Sequence, residues 1–371
     1  MGKSIMMKPV LTSALMAGLV LAAGHEAKAA CNFQKIAELH VVVENNQILI
    51  PGILGGKPVK FLFDTAFPRS LLPRGAATRL EIPLSTVSEP VTIMTLSGLA
   101  ARDDGSVAEV PQFTLDGMQT PIKDTIFHVF GSAETKNFGS PDVAALLGAD
   151  FWSGYEVEVD LPHALINLFR TQDCGDSVLA YWSNSYNMAD MRREGIYETL
   201  PVKLEGRELS AILDTGSRYS GLTDKAAAML GIKRDGAVTL AVDDQTPGTQ
   251  TPDLPSMTRI AHGLGLERQG PNVFTLGLQD MGAAEPLRDY WVARFKNITI
   301  DQETISPFSL RVVHLPHPPK GETGTLISAT TPHYDVLLGV DFLQSHRVLI
   351  ANSQGKFYFT YTGVPKFAKP S

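Results

Sequence analysis

Two short stretches of the sequence, FLFDTAFPRS (residues 61–70) and AILDTGSRYS (residues 211–220), follow the same pattern. In each, three apolar residues lead directly into an aspartate and a threonine, at Asp64-Thr65 and at Asp214-Thr215. An apolar run that stops at an aspartate is typical of a strand that ends in a turn capped by the carboxylate. Turn chemistry explains one such site, but it does not require the same flanks twice.

The similarity extends well beyond the two turns. Residues 50–82 align with residues 200–232 without a gap, at a constant offset of 150. Each copy predicts a strand, a glycine-containing hairpin turn, a second strand that ends in Asp-Thr, and a short helix. Identical residues occupy these pairs of positions: Pro51/Pro201, Gly56/Gly206, Asp64/Asp214, Thr65/Thr215, Ser70/Ser220, Leu72/Leu222, Ala76/Ala226, Ala77/Ala227, Leu80/Leu230 and Ile82/Ile232.

A second repeat follows each copy of the first, at an offset of 191. PDVAALLGADFW (residues 141–152) matches PHYDVLLGVDFL (residues 332–343), and an alternating strand pair follows each of them. The larger offset gives the second half 41 extra residues between its Asp-Thr and its Leu-Leu-Gly. The polar, Gly- and Pro-rich region at about 239–289 is where we expect them, as long inserted loops.

The repeats and the period-2 runs together predict a mainly β protein with two pseudo-symmetric lobes and short helices. We expect each lobe to be β-barrel-like, with turn residues between its strands and one or two short helices. We expect a signal peptide at 1–29, an N-terminal lobe at 30–172, an inter-lobe connection at 173–196, and a C-terminal lobe at 197–371 with inserted loops at about 239–289.

The beginning of the chain predicts export. Lys3 and Lys8 precede an apolar stretch at 10–24 that is too short for a comfortable membrane span, and Ala27-Lys28-Ala29 fits a signal-peptidase site. We expect cleavage after Ala29, a periplasmic or secreted bacterial protein, and no stable membrane insertion after cleavage. An uncleaved anchor is the alternative interpretation.

The composition is that of an ordinary globular protein. The 371 residues are 44% hydrophobic and 19% charged, with a formal net charge of −7. Without residues 1–29, which hold three lysines and one glutamate, the net charge is −9. A mildly acidic chain with no run of Lys and Arg argues against nucleic acid as a partner.

The chain has two cysteines, Cys31 and Cys174, which are a candidate disulfide in an oxidising compartment. Sequence spacing does not establish the pairing, so two free thiols stay an alternative. A lipid-modified Cys31 is disfavoured because Lys28 stands where a lipoprotein signal has an aliphatic residue.

With these residues in view, the chain resembles the aspartic proteases, and LLGADF and LLGVDF are most similar to retropepsin-like members. The resemblance implies a fused, secreted bacterial form with two acid-protease-like lobes. It implies Asp64 and Asp214 as catalytic residues, one from each lobe. Thr65, Thr215, Ala66 and Gly216 would support the dyad, the threonines by hydrogen bonds between the lobes and Gly216 by close approach of its backbone.

The chemistry of such a dyad explains the residue types. Two carboxylates about 3 Å apart cannot both ionise, so they share a proton. The ionised partner takes a proton from a water molecule, and the protonated partner polarises the scissile carbonyl. The resemblance therefore implies an aspartic endopeptidase acting on peptides or unfolded proteins, without cofactor or metal. One monomer would be sufficient for a complete site.

The first motif departs from the family pattern, because Ala66 stands where the family has glycine, and Phe67 and Pro68 follow it. A positive φ at Ala66 would cost about 1–2 kcal/mol, whereas a negative φ would only crowd the cleft. The alternative function is therefore a catalytically impaired pseudoprotease that binds an extended peptide or an envelope partner. We also expect a substrate flap within 94–110, with its tip at about 97–105 and with Ser97 and Gly98 as candidate flap residues. An ordinary surface hairpin is the alternative interpretation.

Other signals predict no further chemistry. His314 and His317 lie in a Pro-rich loop without a visible third ligand, which makes a poor metal site. The scattered glycines near Gly263 follow no predicted strand, which disfavours a dinucleotide site.

Overall fold

The repeated sequence can be followed strand by strand in the structure, a computed structural model. It describes residues 30–86, 92–95, 100–102, 105–131, 138, 140, 142–194, 197–232, 273–276, 291–313, 334–364 and 367. The described residues from Cys31 onward belong to one compact unit. Below, the first half denotes the chain before Asp173 and the second half denotes the chain after it.

The first half consists mainly of short strands, as its alternating sequence predicts. Its described strands are β1 (Asn32–His40), β2 (Val42–Glu44), β3 (Gln47–Leu54), β4 (Lys57–Phe63), β5 (Leu71–Pro73), β6 (Leu84–Thr86), β7 (Thr92–Thr95), β8 (Ala100–Arg102), β9 (Ser106–Leu115), β10 (Ile122–Phe130), β11 (Val143–Leu147), β12 (Glu156–Asp160) and β13 (Leu165–Gln172). Its described helices are α1 (Arg74–Arg79), α2 (Ala149–Trp152) and a 3-10 turn at Leu161–His163.

The second half has the same character. Its described strands are β14 (Asn187–Asp190), β15 (Arg192–Glu194), β16 (Tyr197–Leu204), β17 (Arg207–Leu213), β18 (Gly221–Thr223), β19 (Val273–Leu276), β20 (Trp291–Phe295), β21 (Ile298–Ile300), β22 (Glu303–Ile305), β23 (Phe308–Val313), β24 (Val336–Leu338), β25 (His346–Ala351) and β26 (Lys356–Tyr361). Its described helices are α3 (Asp224–Met229) and α4 (Val340–Leu343).

Each half has a sheet of its own, and the two sheets share one strand order. In the first half the order β3-β4-β11-β5-β10-β9 lies within an eight-stranded sheet. In the second half the equivalent order is β16-β17-β24-β18-β23-β20. In both, the strand that ends in Leu-Leu lies between the strand before the Asp-Thr loop and the strand after it, parallel to the former and antiparallel to the latter. The predicted hairpin and short helix of each repeat are confirmed.

A third sheet joins the halves. Its six strands run in the order β1-β13-β12-β25-β26-β14, three from each half. The halves meet at the antiparallel pair β12 and β25, where Val157 faces Ile350 and Val159 faces Val348. Beside this pair, the carboxylate of fully buried Glu158 accepts a 2.6 Å hydrogen bond from Arg347 Nε. The junction therefore combines backbone pairing with a charge pair between the halves, in which the buried carboxylate is compensated.

The two cysteines are joined by a disulfide, with the Cα atoms of Cys31 and Cys174 4.4 Å apart. The bond ties the residue before β1 to the start of the connection, and so closes a loop around the first half. Residues of the connection then pack on the six-stranded sheet: Leu179 and Ala180 are buried in a cluster with Leu349 and Tyr358.

The mainly β, two-lobed fold class is confirmed. Of the predicted inserted loops at about 239–289, only β19 lies within the described residues, where it pairs in parallel with β7. The predicted flap region overlaps the antiparallel pair β7 and β8, but the candidate flap residues Ser97 and Gly98 lie outside the described residues. None of the helices in the described part of the chain is long and apolar enough to cross a membrane.

Candidate active site

The two Asp-Thr loops are held from behind by the Leu-Leu-Gly segments. Asp64 directly follows β4, and its N–H donates a hydrogen bond to Leu147 O at 3.1 Å. In the other direction, the Ala149 N–H donates to Phe67 O at 2.6 Å. The second half repeats both bonds, from the Asp214 N–H to Leu338 O at 2.9 Å and from the Val340 N–H to Ser217 O at 2.9 Å. These backbone hydrogen bonds lie at each aspartate and three residues after it, and they fix the backbone from which its side chain projects.

The glycine of each Leu-Leu-Gly allows this close approach. A Cβ added at Gly148 would overlap the carbonyl oxygens of Arg69 and Phe67, and one added at Gly339 would overlap the backbone of Tyr219. No side chain larger than hydrogen fits at either position without moving the adjacent Asp-Thr loop.

A serine and an aspartate in each half fasten the same loop to the same segment. Ser70 donates its hydroxyl to Asp150 at 2.8 Å and its N–H to the other Asp150 oxygen at 2.9 Å, and Ser70 Oγ accepts the Gly148 N–H at 3.1 Å. In the second half, the Ser220 hydroxyl and N–H donate to Asp341 Oδ1 at 2.6 and 2.8 Å, and Ser220 Oγ accepts the Gly339 N–H at 2.9 Å. We call each set the serine–aspartate clasp.

Sequence reasoning did not assign a role to these clasps. The signal was present, because Ser70 and Ser220 are identical in the first repeat and the aspartate recurs in both LLGxDF segments. The two repeats were separate observations, however, and only the fold shows that a serine from one contacts an aspartate from the other.

Threonine hydroxyls join the two loops to each other. The Thr65 N–H donates to Thr215 Oγ1 at 2.8 Å, and Thr215 Oγ1 donates onward to Phe63 O at 3.1 Å. The Thr65 hydroxyl donates to Leu213 O at 3.2 Å. Each threonine side chain thus reaches the backbone of the opposite half, immediately beside the two aspartates.

The structure brings Asp64 and Asp214 together as a buried pair. Asp64 Oδ1 accepts the N–H groups of Ala66 at 3.0 Å and Phe67 at 2.9 Å. Asp214 Oδ1 accepts those of Gly216 at 3.0 Å and Ser217 at 3.1 Å. Within the described part of the chain, the Oδ2 atom of each aspartate has no hydrogen-bond partner, and both residues are 0% exposed.

Burial and proximity favour the protonated form of both carboxyls. Burial raises the pKa of Asp64 to about 6, opposed by the N–H bonds of Phe67 and Ala66. Burial also raises the pKa of Asp214 well above its ordinary value, and the negative charge of Asp64 raises it further. Because the two groups interact strongly, their protons belong to the pair.

The two halves differ at the third position of the motif. A Cβ added at Gly216 would overlap Asp64 Oδ2, so the second loop requires glycine for steric reasons. In the first loop, Ala66 packs its methyl group with Ile212, Tyr334 and Leu337 of the second half. Neither Ala66 nor Gly216 has a positive φ, so Ala66 carries none of the strain considered above.

Phe67 does not block the site from its position after Ala66. It is 1% exposed and packs within the first half, in a cluster with Leu49, Leu62, Leu71 and Phe130. The equivalent residue in the second half is Ser217. The bulky side chain therefore contributes to the core beside the Asp64 loop.

The geometry agrees with a comparison with protein families. Residues 50–151 match the family model described as aspartyl protease, a segment that contains Asp64, Ala66 and the Leu-Leu-Gly of the first half. Over this segment, the chain is similar to aspartyl proteases. No match was found among curated protein sequences.

Two solved structures resemble the chain at low sequence identity. The aspartic proteinase from Irpex lacteus is 13% identical, with a TM-score of 0.45 and coverage of 91% of this chain and 98% of that one. Basic 7S globulin from soybean is 9% identical, with the same TM-score and the same two coverages.

The structure does not describe every residue singled out in the sequence. Ser97, Gly98, His314 and His317 are outside the described residues, and so is Gly263. The residues that the structure describes include no cluster of three or more His, Cys, Asp or Glu side chains able to hold a metal ion.

The serine–aspartate clasps generate a prediction on stability. Ser70→Ala and Ser220→Ala should each lower the free energy of unfolding by about 2–3 kcal/mol, because each removes two hydrogen bonds of a buried serine hydroxyl. Urea unfolding of the mature protein measures this. Ser85→Ala, at an exposed strand position, is the matched control and should stay within about 0.5 kcal/mol. A similar small loss at Ser70 and Ser220 would contradict the clasp.

The raised pKa values generate a prediction on pH. A carboxyl whose pKa is raised in the folded state favours folding below its unfolded pKa of about 4, and this contribution is lost as pH rises through the folded value. For Asp64 the loss develops between about pH 4 and pH 6 and approaches about 3 kcal/mol, and Asp214 acts in the same direction.

Asp64→Asn and Asp214→Asn keep an oxygen that can accept the two loop N–H groups but remove the ionisable proton. Each variant should therefore be more stable than the wild type at pH 8 and nearly equal to it at pH 4, measured by urea unfolding at both values. Variants that are destabilised equally at both pH values would contradict the raised pKa.

Proposed function

We propose that the chain is an endopeptidase that hydrolyses peptide bonds with a water molecule activated between Asp64 and Asp214. One observation carries the proposal. Two aspartates from equivalent loops are buried side by side, each with one oxygen held by backbone N–H groups and the other without a partner among the described residues. A pair of carboxyls in this state is suited to share one proton.

In the proposed reaction, the ionised carboxylate of the pair accepts a proton from water as the water oxygen attacks the scissile carbonyl carbon. The protonated carboxyl donates to the carbonyl oxygen, which gives a neutral tetrahedral diol. Transfer of a proton to the amide nitrogen and cleavage of the C–N bond then release an amine and a carboxylic acid. The loop N–H groups hold both side chains in place throughout.

The proposed substrate is an extended peptide or an unfolded protein. The mechanism needs no cofactor, and one chain supplies both carboxyls, so a monomer is sufficient. The disulfide between Cys31 and Cys174 supports the further proposal that the chain works in the periplasm or outside a bacterial cell after removal of residues 1–29, because disulfides persist in oxidising compartments.

A second candidate function is a pseudoprotease that binds an extended peptide without cutting it. The observation that favours it is the complete burial of both carboxyls, together with the Ala66 methyl group packed against the opposite half. Such a protein would hold a peptide by pairing with strand edges.

The test is cleavage of casein by the purified mature chain between pH 3 and pH 8. Since the pKa of Asp64 is raised to about 6, the pair reaches its singly ionised form only near that pH. Cleavage should be weak at pH 4, rise with an acid limb near pH 6, and fall by at least about 1000-fold in Asp64→Asn and in Asp214→Asn alike. Asp116→Asn, at an exposed turn, should match the wild type.

A peptidic transition-state inhibitor added to the same samples separates the two functions. Cleavage that the inhibitor blocks supports the endopeptidase. Inhibitor binding without cleavage at any pH, in a protein shown to be folded, supports the pseudoprotease and rejects the endopeptidase.

The difference between the two loops predicts that they respond differently to an exchange of glycine and alanine at the third position of the motif. Gly216→Ala should abolish cleavage, because its methyl group would overlap Asp64 Oδ2. Ala66→Gly, the exchange in the other direction at the equivalent position, should keep cleavage within about threefold, because it removes only a methyl contact with the opposite half. Casein cleavage and inhibitor binding measure both, and equal losses in the two variants would contradict the asymmetry.

A further inference from the structure

A cavity of about 390 Å³ lies between the Asp64 loop and the six-stranded sheet. Thr65 and Ala66 line it from the loop, and Val157, Ile350 and Phe357 line it from the sheet. Its size falls within the range of small-molecule sites in proteins, which is about 300–1,000 Å³.

The walls of the cavity are mainly apolar, and its charged groups lie at the rim. Trp152, Leu200 and Leu213 are buried hydrophobic residues of the wall. Arg69 and Asp150 are exposed residues that also border the cavity. An apolar interior with a few polar groups at one side suits a ligand with an apolar body and a polar head.

The charged residues that border the cavity are the guanidinium of Arg69 and the carboxylates of Asp150 and Glu198. The Asp150 carboxylate is occupied by its two bonds from Ser70, and Glu198 has an interaction of its own. Among the described residues, the Arg69 guanidinium makes no hydrogen bond or ion pair. It is thus the charged group at the rim that is available to a ligand, and a planar guanidinium matches a carboxylate well.

The equivalent positions in the second half carry larger residues. At offsets of 150 and 191, Arg218 and Gln344 stand where the first half has Pro68 and Ser153. Asn46 bridges them, since its Nδ2 donates to Arg218 O at 3.3 Å and its Oδ1 accepts from Gln344 Nε2 at 3.3 Å. In the first half, the smaller Pro68 and Ser153 line the cavity.

We propose that this cavity binds an amphipathic monocarboxylate, with its hydrocarbon body against Trp152 and the six-stranded sheet and its carboxylate on Arg69. The ligand would lie against Thr65 and Ala66, next to the Asp64 loop. The proposal does not depend on peptide cleavage, because binding is measured in the absence of substrate.

The test is isothermal titration calorimetry of the mature chain with decanoate, using 1-decanol and decylammonium as probes with the same chain and a different head. We expect one saturable site for decanoate. Arg69→Gln should weaken binding at least about tenfold, the effect of losing a charge-assisted hydrogen bond. Arg79→Gln, an exposed arginine on α1, is the matched control and should leave binding unchanged.

Ser153→Trp tests the location, because a bulky side chain at this exposed rim position should close the cavity and abolish binding without disturbing the core. If this variant does not fold, Arg69→Gln alone decides. The proposal is overturned if decanoate does not bind at millimolar concentration, if decanol or decylammonium binds as tightly, or if the Arg69 and Ser153 variants bind as the wild type does.

Discussion

The hydroxyl group of Thr215 accepts a hydrogen bond from the backbone of one aspartate loop and donates to the strand that leads into it. Thr65 reaches across in the other direction, to Leu213 O. These short polar bridges lie between two loops whose preceding strands, β4 and β17, belong to separate sheets. The distance between the carboxyls depends on them, because every other bond around each aspartate comes from its own half.

The six-stranded sheet supports these bridges from a distance. It holds the two halves together through the β12–β25 strand pair and through the Glu158–Arg347 charge pair. Each of these pairs has one partner in each half. A change of register at this junction would displace one aspartate loop against the other. The relative position of the two aspartates thus depends on a sheet that contains neither of them.

Much of this arrangement could be predicted from the sequence, because it repeats. The two Asp-Thr sites, their hairpins and the Leu-Leu-Gly segments behind them follow from gapless self-similarity. The clasps could not be predicted, since they connect residues about 80 and 120 positions apart. The effect of alanine at position 66 could not be predicted either. It depends on the neighbours Tyr334 and Leu337 and on the negative φ of Ala66, which the sequence does not show. The cavity could not be predicted either, because its lining residues come from distant parts of the sequence.

The covalent fusion of the two halves changes what a single mutation can do. In a symmetric dimer of identical chains, one codon change alters both aspartate loops at once, so a residue that overlaps the opposite carboxyl is excluded from both. Here one gene encodes the loops separately, and the first has alanine at a position where the second can hold only glycine. The two sides of the molecule have become free to acquire different tasks, one keeping the tight fit around the carboxyls while the other varies its surroundings.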